Sequence, residues 1–414
     1  MAKKRKNKID KQELEYDINL DQAVTLESVE ESELKQELYK YASRDYFDDG
    51  DDDKKILKVR HLSIGFVTHG KKINVIRDIS LDVYKGETLA IVGESGSGKS
   101  VFTKSFTGML ETNGFISGGE ILFRNNKTNE FEDIAKPKTN KEWQKIRGKR
   151  IATIFQDPMT SLNPLLTIGF QIAEILRIHH GMSKKEAKEE AINILERVKI
   201  PDARNRYNDY PYQYSGGMRQ RVVIAIALAC RPEILICDEP TTALDVTVQS
   251  QILELIRELQ EEYNWTTIFI THDLGVVANV ADRVAVMYGG QIVEYGTAEE
   301  VFYKPEHPYT WALLQSLPQL GSKEEPLHYI KGNPPTFINE IIGEAFAPRN
   351  EYALNIDYVV DPPMFKVSDT HYAKTWLLDP RAPKIEKPKI IQNLRSKMKE
   401  AADELKREVE EDGK

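Results

Sequence analysis

Cysteine is almost missing from this chain: among 414 residues there are two, Cys230 and Cys237. Each sits in an apolar run, and neither belongs to a C-x-x-C or Cys/His array, so a disulfide framework and cysteine-based metal motifs are excluded. Two core thiols in a reducing compartment is the reading that remains. Long apolar runs are missing too. The longest, Val222–Cys230, is far too short to cross a bilayer, and the basic start "MAKKRKNKIDKQE" lacks the apolar segment of a signal peptide. If the protein works at a membrane, other chains are expected to supply the spanning helices. The third absence is an excess of positive charge: 57 Lys and Arg stand against 65 Asp and Glu, a formal net charge of −8. That argues against nucleic acid or an anionic membrane surface as the main partner.

What is present is an ordinary globular balance, 40% hydrophobic and 29% charged, in a chain long enough for two or three domains. Residues 1–54 are polar, mixed in charge, and end in "DDGDDDKK". Such acid runs repel themselves and seldom pack, so this stretch reads as an extension, disordered or partly helical over "LESVEESELKQELYKYAS". Residues 55–325 alternate short apolar runs with helical patterns, the mark of an α/β domain. Residues 326–380, rich in proline and aromatics, read as an irregular appended module, and 381–414 as a charged helical tail.

Four apolar runs organise the α/β part: "TLAIV" (88–92), "RIATIF" (150–155), "EILIC" (233–237) and "TTIFI" (266–270). Each has strand length and the composition of a strand covered on both faces. Each runs straight into polar residues: Gly93, Gln156, Asp238-Glu239 and Thr271-His272. Open α/β sheets bind ligands at the carboxyl ends of their strands, so these four groups point to one edge. Between the runs, "SKKEAKEEAINILERVKI" opens with Ser183 and Glu186 at capping-box spacing. "DVTVQSQILELIRELQEEY" puts Val248, Ile252, Leu255, Ile256 and Leu259 on one helical face. "VAVMYGGQIVEYGT" (284–297) reads as a hairpin turning at Gly289-Gly290.

The chemistry lies at the strand ends. "GESGSGKS", Gly93–Ser100, fits G-x-x-x-x-G-K-[ST]. Gly93, Glu94, Ser95, Gly96, Ser97, Gly98, Lys99, Ser100 and Val101 would line the cradle, since glycines let backbone N–H groups come close to a bulky anion. A helix starting near Lys99 adds its positive end. Lys99 supplies a charge for the outer phosphates and Ser100 a hydroxyl for Mg²⁺. In "ILICDEP", Asp238 is placed to hold the Mg²⁺ shell and Glu239 to activate an attacking water. Gln156 is expected to touch both metal and water, and His272 to keep the γ-phosphate and the water in line. Phe66, on an N-terminal strand, either stacks on an adenine ring or packs in the core. "YSGG" ahead of "MRQRVVIAIALAC" is a second anion site: Ser215 can cap the helix, and Gly216 and Gly217 leave N–H groups bare. One phosphate loop needs no second cradle, unless the second serves nucleotide bound to a different chain.

In this order the motifs resemble those of ABC-transporter ATP-binding subunits: phosphate loop (Gly93–Ser100), Q-loop (Gln156), signature (Tyr214–Met218), Walker B (Ile234–Glu239), D-loop (Ala243-Leu244-Asp245) and switch histidine (His272), over about 55–320. The resemblance implies a P-loop NTPase (RecA-like) core, an antiparallel β subdomain, an α-helical signature subdomain at about 157–232, and an appended C-terminal module. It further implies two subunits sandwiching two ATP molecules with Mg²⁺. Ser215–Gly217 would face the partner's γ-phosphate, and Asp245 would couple the two sites. Met218 departs from the family's usual glutamine.

"IFQDPMTSLNP" (154–164), "YSGGMRQR" (214–221), "HPYTWALLQSLP" (307–318), "GNPPTF" (332–337) and "FAPR" (346–349) are similar to the D-type ATPases of oligopeptide permeases. "THYAKTWLLDPRAP" looks most like their streptococcal and lactococcal members. That likeness implies oligopeptide import at the cytoplasmic face of the cell membrane, with dipeptides or nickel as alternative cargo. The implied partners are an F-type second ATPase, two transmembrane permease subunits and an extracellular peptide-binding lipoprotein, with a coupling helix docking near Pro158–Thr167. No nucleic acid is expected. Many relatives carry four cysteines in the tail, able to hold an iron–sulfur cluster. Here Glu344, Asn350, Asp357 and Lys374 stand at those places, and no cluster is expected. An exporter would often be fused to spanning helices. A soluble ABC protein of translation or DNA repair usually has tandem cassettes or a coiled-coil insertion, and neither is seen here.

Overall fold

No position in "TLAIV" or "TTIFI" carries a charge, and both runs become strands buried along their whole length. The computed structural model describes residues 38–40, 47, 52–136, 138–242, 244–317 and 329–394. The chain divides into two units: Gly50–Val284, and Met1–Asp49 together with Ala285–Lys414.

The first unit holds two sheets. Strands β1 (Lys55–Thr68), β2 (Lys71–Tyr84), β4 (Gly114–Arg124) and β5 (Phe131–Asp133) form an antiparallel sheet in the order β2-β1-β4-β5. Its base is tied by Lys55 Nζ, 2.9 Å from the Asp82 carboxylate, with both side chains buried. Arg60 reaches the same carboxylate at 2.6 Å. Strands β3 (Thr88–Val92), β6 (Ile151–Ile154), β7 (Ile234–Asp238) and β8 (Thr266–Thr271) run parallel in the order β3-β8-β7-β6. The register pairs Val92 with Thr271, Asp238 with Ile270, and Ile154 with Cys237. Because the strands are parallel and nearly in step, the residues that follow them emerge at one edge. That is the edge the sequence singled out.

The helices of this unit are α1 (Lys99–Ser105), α2 (Asn140–Ile146), α3 (Pro158–Ser161), α4 (Ile168–His180), α5 (Lys184–Arg197), α6 (Ala203–Arg206), α7 (Gly216–Ala229), α8 (Val246–Tyr263) and α9 (Leu274–Val280). Ser183 and Glu186 form the predicted capping box on α5, which satisfies N–H groups that a helix start leaves orphaned. On α8, Ile252, Leu255, Ile256 and Leu259 are buried and Val248 is partly so. This is the predicted face, and each fully buried aliphatic side chain contributes roughly 1.5–3 kcal/mol. Cys230 and Cys237 lie in the same core as free thiols. Burial pushes the Cys230 thiol up to about 11.

In the second unit, β9 (Arg283–Tyr288), β10 (Gln291–Thr297), β11 (Phe365–Lys366) and β12 (Tyr372–Ala373) follow the order β9-β10-β12-β11. The expected hairpin turns at Gly289-Gly290, between β9 and β10. Helices α10 (Ala298–Tyr303) and α11 (Pro308–Gln315) come next, and α12 (Lys389–Gln392) closes the described part. The first compact unit ends at Val284. Glu294 pairs with Ala373 and Tyr295 with Tyr372, which ties the β9–β10 hairpin to the C-terminal module.

Of the N-terminal extension before Gly50, residues 38–40 and 47 are described. Leu38, 2% exposed, joins a cluster of Leu354, Ile356, Val360, Phe365 and Trp376. The Tyr39 ring stacks on Trp376 at 5.8 Å, Phe47 lies edge-on to Tyr295 at 5.2 Å, and Arg381 donates to the Leu38 carbonyl at 2.9 Å. These few apolar side chains are buried or stacked within a stretch of high average polarity. Residues 1–37, 41–46 and 48–51 of the extension, the charged tail beyond Leu394 and Ala243 of the D-loop lie outside the described residues.

Candidate active site

The phosphate loop runs from the end of β3 into α1. Gly98, before α1, has φ +103 and caps the helix with no side-chain hydrogen bond. A β-carbon would strain that conformation, and the bare first turn of N–H groups is kept for a ligand. A side chain on Gly96 (φ +81) would meet nothing within 4 Å, so the loop's outer side is open. Lys99 is 6% exposed. Its ammonium sits 2.8 Å from the Gly93 carbonyl and 2.9 Å from that of Glu94. Burial lowers its basicity, against the opposing charges of Glu239, Asp238 and Glu94. The Ser97 hydroxyl is buried without a hydrogen-bond partner among the described residues.

Opposite the loop, Ser100 Oγ donates to Asp238 Oδ1 at 3.1 Å. Burial holds the Asp238 carboxyl above the usual range. The Ser100 hydroxyl opposes this and the Glu239 charge adds to it. An orphaned hydroxyl, a lysine with only carbonyl partners and two adjacent carboxyls beside a serine hydroxyl together fit a phosphate chain and a hard divalent cation.

Glu239 is the hub. It follows β7 with φ +47, a left-handed conformation unusual for a residue with a β-carbon. Such a residue costs on the order of 1–3 kcal/mol and persists only where its surroundings over-determine it. They do so here. The Glu239 N–H donates to the Ile270 carbonyl at 3.0 Å. Gln156 Nε2 and Thr242 Oγ1 each donate to Oε2 at 3.0 Å. His272 Nδ1 lies 3.1 Å from Oε1. Gln156, Asp238, Glu239 and His272 are thus gathered beside Lys99 and Ser100. Thr242 was not anticipated. Its one sequence signal is a hydroxyl three residues beyond Glu239, the spacing at which a side chain closes a turn.

The signature stands apart, at the head of α7. Ser215 caps the helix, accepting from the Met218 N–H at 3.3 Å. A β-carbon on Gly217 would fall 2.7 Å from Val248 Cγ1, whereas one on Gly216 would meet only Leu244, at 3.9 Å. The turn is therefore backed by α8 and open outward. Tyr214 is buried, its hydroxyl donates to the Arg206 carbonyl at 3.0 Å, and burial pushes its phenol up to about 12. Asp245 caps α8, accepting from Val248 N–H at 2.9 Å. Phe66 is 8% exposed on β1, paired with Gly114 of β4. Its ring lies over that glycine, where an added β-carbon would come within 2.8 Å of it.

In the second unit, Glu344 and Asp357 are buried, and Lys374 bonds Asp361 at 2.5 Å. An iron–sulfur cluster needs thiolate or imidazole ligands. Two carboxyls, an amide and an ammonium do not fit one.

Two family models match the chain: "ABC transporter" over residues 76–242 and "Oligopeptide/dipeptide transporter, C-terminal region" over 293–356. The oligopeptide transport ATP-binding protein AmiE of Streptococcus pneumoniae is 59% identical over 345 residues, covering 83% of this chain and 96% of that protein. The dipeptide transport ATP-binding protein DppD of Lactococcus lactis is 56% identical over 80% of this chain and 94% of its own length. OppD of Bacillus subtilis, an oligopeptide transport ATP-binding protein, is 54% identical over 86% and 97%. Among solved structures, the dimeric post-hydrolysis state of the ATP-binding cassette MJ0796 bound to ADP and Pi superposes with a TM-score of 0.51 at 28% identity. It covers 59% of this chain and 99% of that one.

Proposed function

The chain belongs to the family of ABC-transporter ATP-binding proteins, and from that premise we propose that it is the ATP-hydrolysing subunit of an oligopeptide importer. The observation that carries the reading is the convergence of Gln156 and His272 on the Glu239 carboxylate, beside Lys99, Ser100 and Asp238. ATP binding aligns its phosphates with the N–H groups of residues 93–101. Lys99 exchanges its two carbonyl partners for phosphate oxygens, and the Ser97 hydroxyl gains a partner. Ser100, Asp238 and Gln156 would hold Mg²⁺, which when bound neutralises charge on the outer phosphates. Glu239 takes the proton of the attacking water, while His272 orients that water and the γ-phosphate. The buried Phe66 ring offers an apolar wall for adenine.

The outward-facing Ser215–Gly217 turn serves nucleotide on a second, F-type ATPase subunit, and Asp245, at the head of α8, couples the two sites. A dimeric cassette among the structural relatives supports this arrangement. Peptide cargo is supported by the relatives' names and by the C-terminal match. The dipeptide-transport relative keeps shorter peptides as the second reading. No helix among the described residues is long and apolar enough to cross a membrane. In this reading two permease subunits supply the pathway and an extracellular lipoprotein delivers the peptide. At the cytoplasmic face, the permeases' coupling helix would meet Met159 (57% exposed) and Leu165 (82% exposed).

Glu239→Gln tests the chemistry. ATP binding is expected to survive while turnover falls by roughly 10²–10⁴, the scale of losing a positioned base. Unchanged turnover would remove Glu239 from the role. Peptide uptake in cells lacking and then regaining the gene tests the cargo.

A further inference from the structure

The two oxygens of the Glu239 carboxylate are held differently. Among the described residues, Oε1 faces His272 alone, whereas Oε2 accepts from both Gln156 and Thr242. The two donors on Oε2 are not equivalent. Gln156 comes from another strand end and is also needed by metal and water. Thr242 lies in the same turn as Glu239, and its N–H reaches back to the Glu239 carbonyl at 3.4 Å. Backbone and side chain of Thr242 thus close the turn that starts at the left-handed Glu239. A free glutamate explores several staggered rotamers. A hydroxyl donating to an ionised oxygen removes that freedom with a charge-assisted bond, and the β-branched threonine is itself stiff at χ1.

We propose that Thr242 is a positioning residue for hydrolysis: it pins Oε2 of Glu239 so that Oε1 stays turned toward the attacking water and His272, and it keeps doing so once Gln156 turns to the metal. This rests on the reading of Glu239 as the base. Thr242 touches neither nucleotide nor metal in this scheme. Its effect therefore belongs in kcat and not in ATP affinity.

The test compares wild type, Thr242→Val, Thr242→Ser and Glu239→Gln as full-length chains assembled with the second ATPase and the permease subunits, in ATPase assays and ATP titrations. Valine keeps shape and branching but removes the donor. The expected result is a kcat lower by about tenfold, the rate equivalent of one positioned hydrogen bond, with KM for ATP within about twofold of wild type by the same measure. Thr242→Ser, which restores the donor, should recover most of the rate. Wild-type turnover in Thr242→Val, a loss that appears in KM and ATP affinity, or no recovery with serine would each overturn the proposal. The Glu239→Gln arm separates the two ideas. If that variant turns over normally, the reading of Glu239 fails. If it is inactive while Thr242→Val is not, the positioning role alone fails.

Discussion

His272 Nδ1 lies 3.1 Å from Glu239 Oε1, although the two residues follow different strands, β8 and β7. The parallel register that pairs Asp238 with Ile270 brings them side by side. His272 is 56% exposed and Glu239 17%, so the histidine stands over the carboxylate from the solvent side. Replacing His272 with alanine removes one oriented donor and leaves the loop Gly93–Ser100 intact. The expected outcome is a kcat lower by on the order of 10², the usual loss for one preorganised donor, with nearly unchanged binding of a fluorescent ATP analogue. A matching loss of nucleotide affinity would place His272 in the cradle instead.

The C-terminal module carries a buried acid pair. Asp357 is 1% exposed and Glu344 4%, and His307 Nε2 lies 3.0 Å from Glu344 Oε1. Burial, and then the Glu344 charge, push the Asp357 carboxyl from 3.8 up to about 8, against one hydrogen bond from the Leu354 N–H. The folded state therefore keeps a proton that the unfolded chain releases between those two values. Stability from this group is full at low pH and is lost as pH rises toward about 8. Thermal melts of the full chain should show the C-terminal transition falling in temperature over that range. Asp357→Asn, which cannot ionise, should flatten the dependence and raise the transition at the alkaline end.

Leu38 tests whether the N-terminal extension belongs to the same module. Its side chain is 2% exposed among Leu354, Ile356, Val360, Phe365 and Trp376. Leu38→Ala deletes buried methyl groups and leaves a cavity, an expected cost of about 2–5 kcal/mol. Urea unfolding of the full chain measures it, and a change near zero would mean that Leu38 is not seated in that cluster.

Much of the site could be read from sequence because its parts are local. A phosphate loop is eight consecutive residues, and a buried strand declares itself by its own composition. A polar residue directly after such a strand must then emerge at the sheet edge. Gly93, Gln156, Asp238 and His272 were legible for that reason. So was Ser215, since a cap is set by the few residues around it.

Contacts between distant segments were not legible. The hydroxyl of Thr242 on Glu239 depends on the left-handed turn at Glu239, which no residue type announces. The pairing of Glu294 with Ala373 joins strands far apart along the chain. The burial of Leu38 in a cluster with Trp376 and of Asp357 beside Glu344 is likewise set by side chains that meet only once the chain has folded. Sequence by itself determined which groups stand at the strand ends. Tertiary structure alone decided which of them touch, because hydrogen bonds and packing act over a few ångströms in space regardless of separation along the chain.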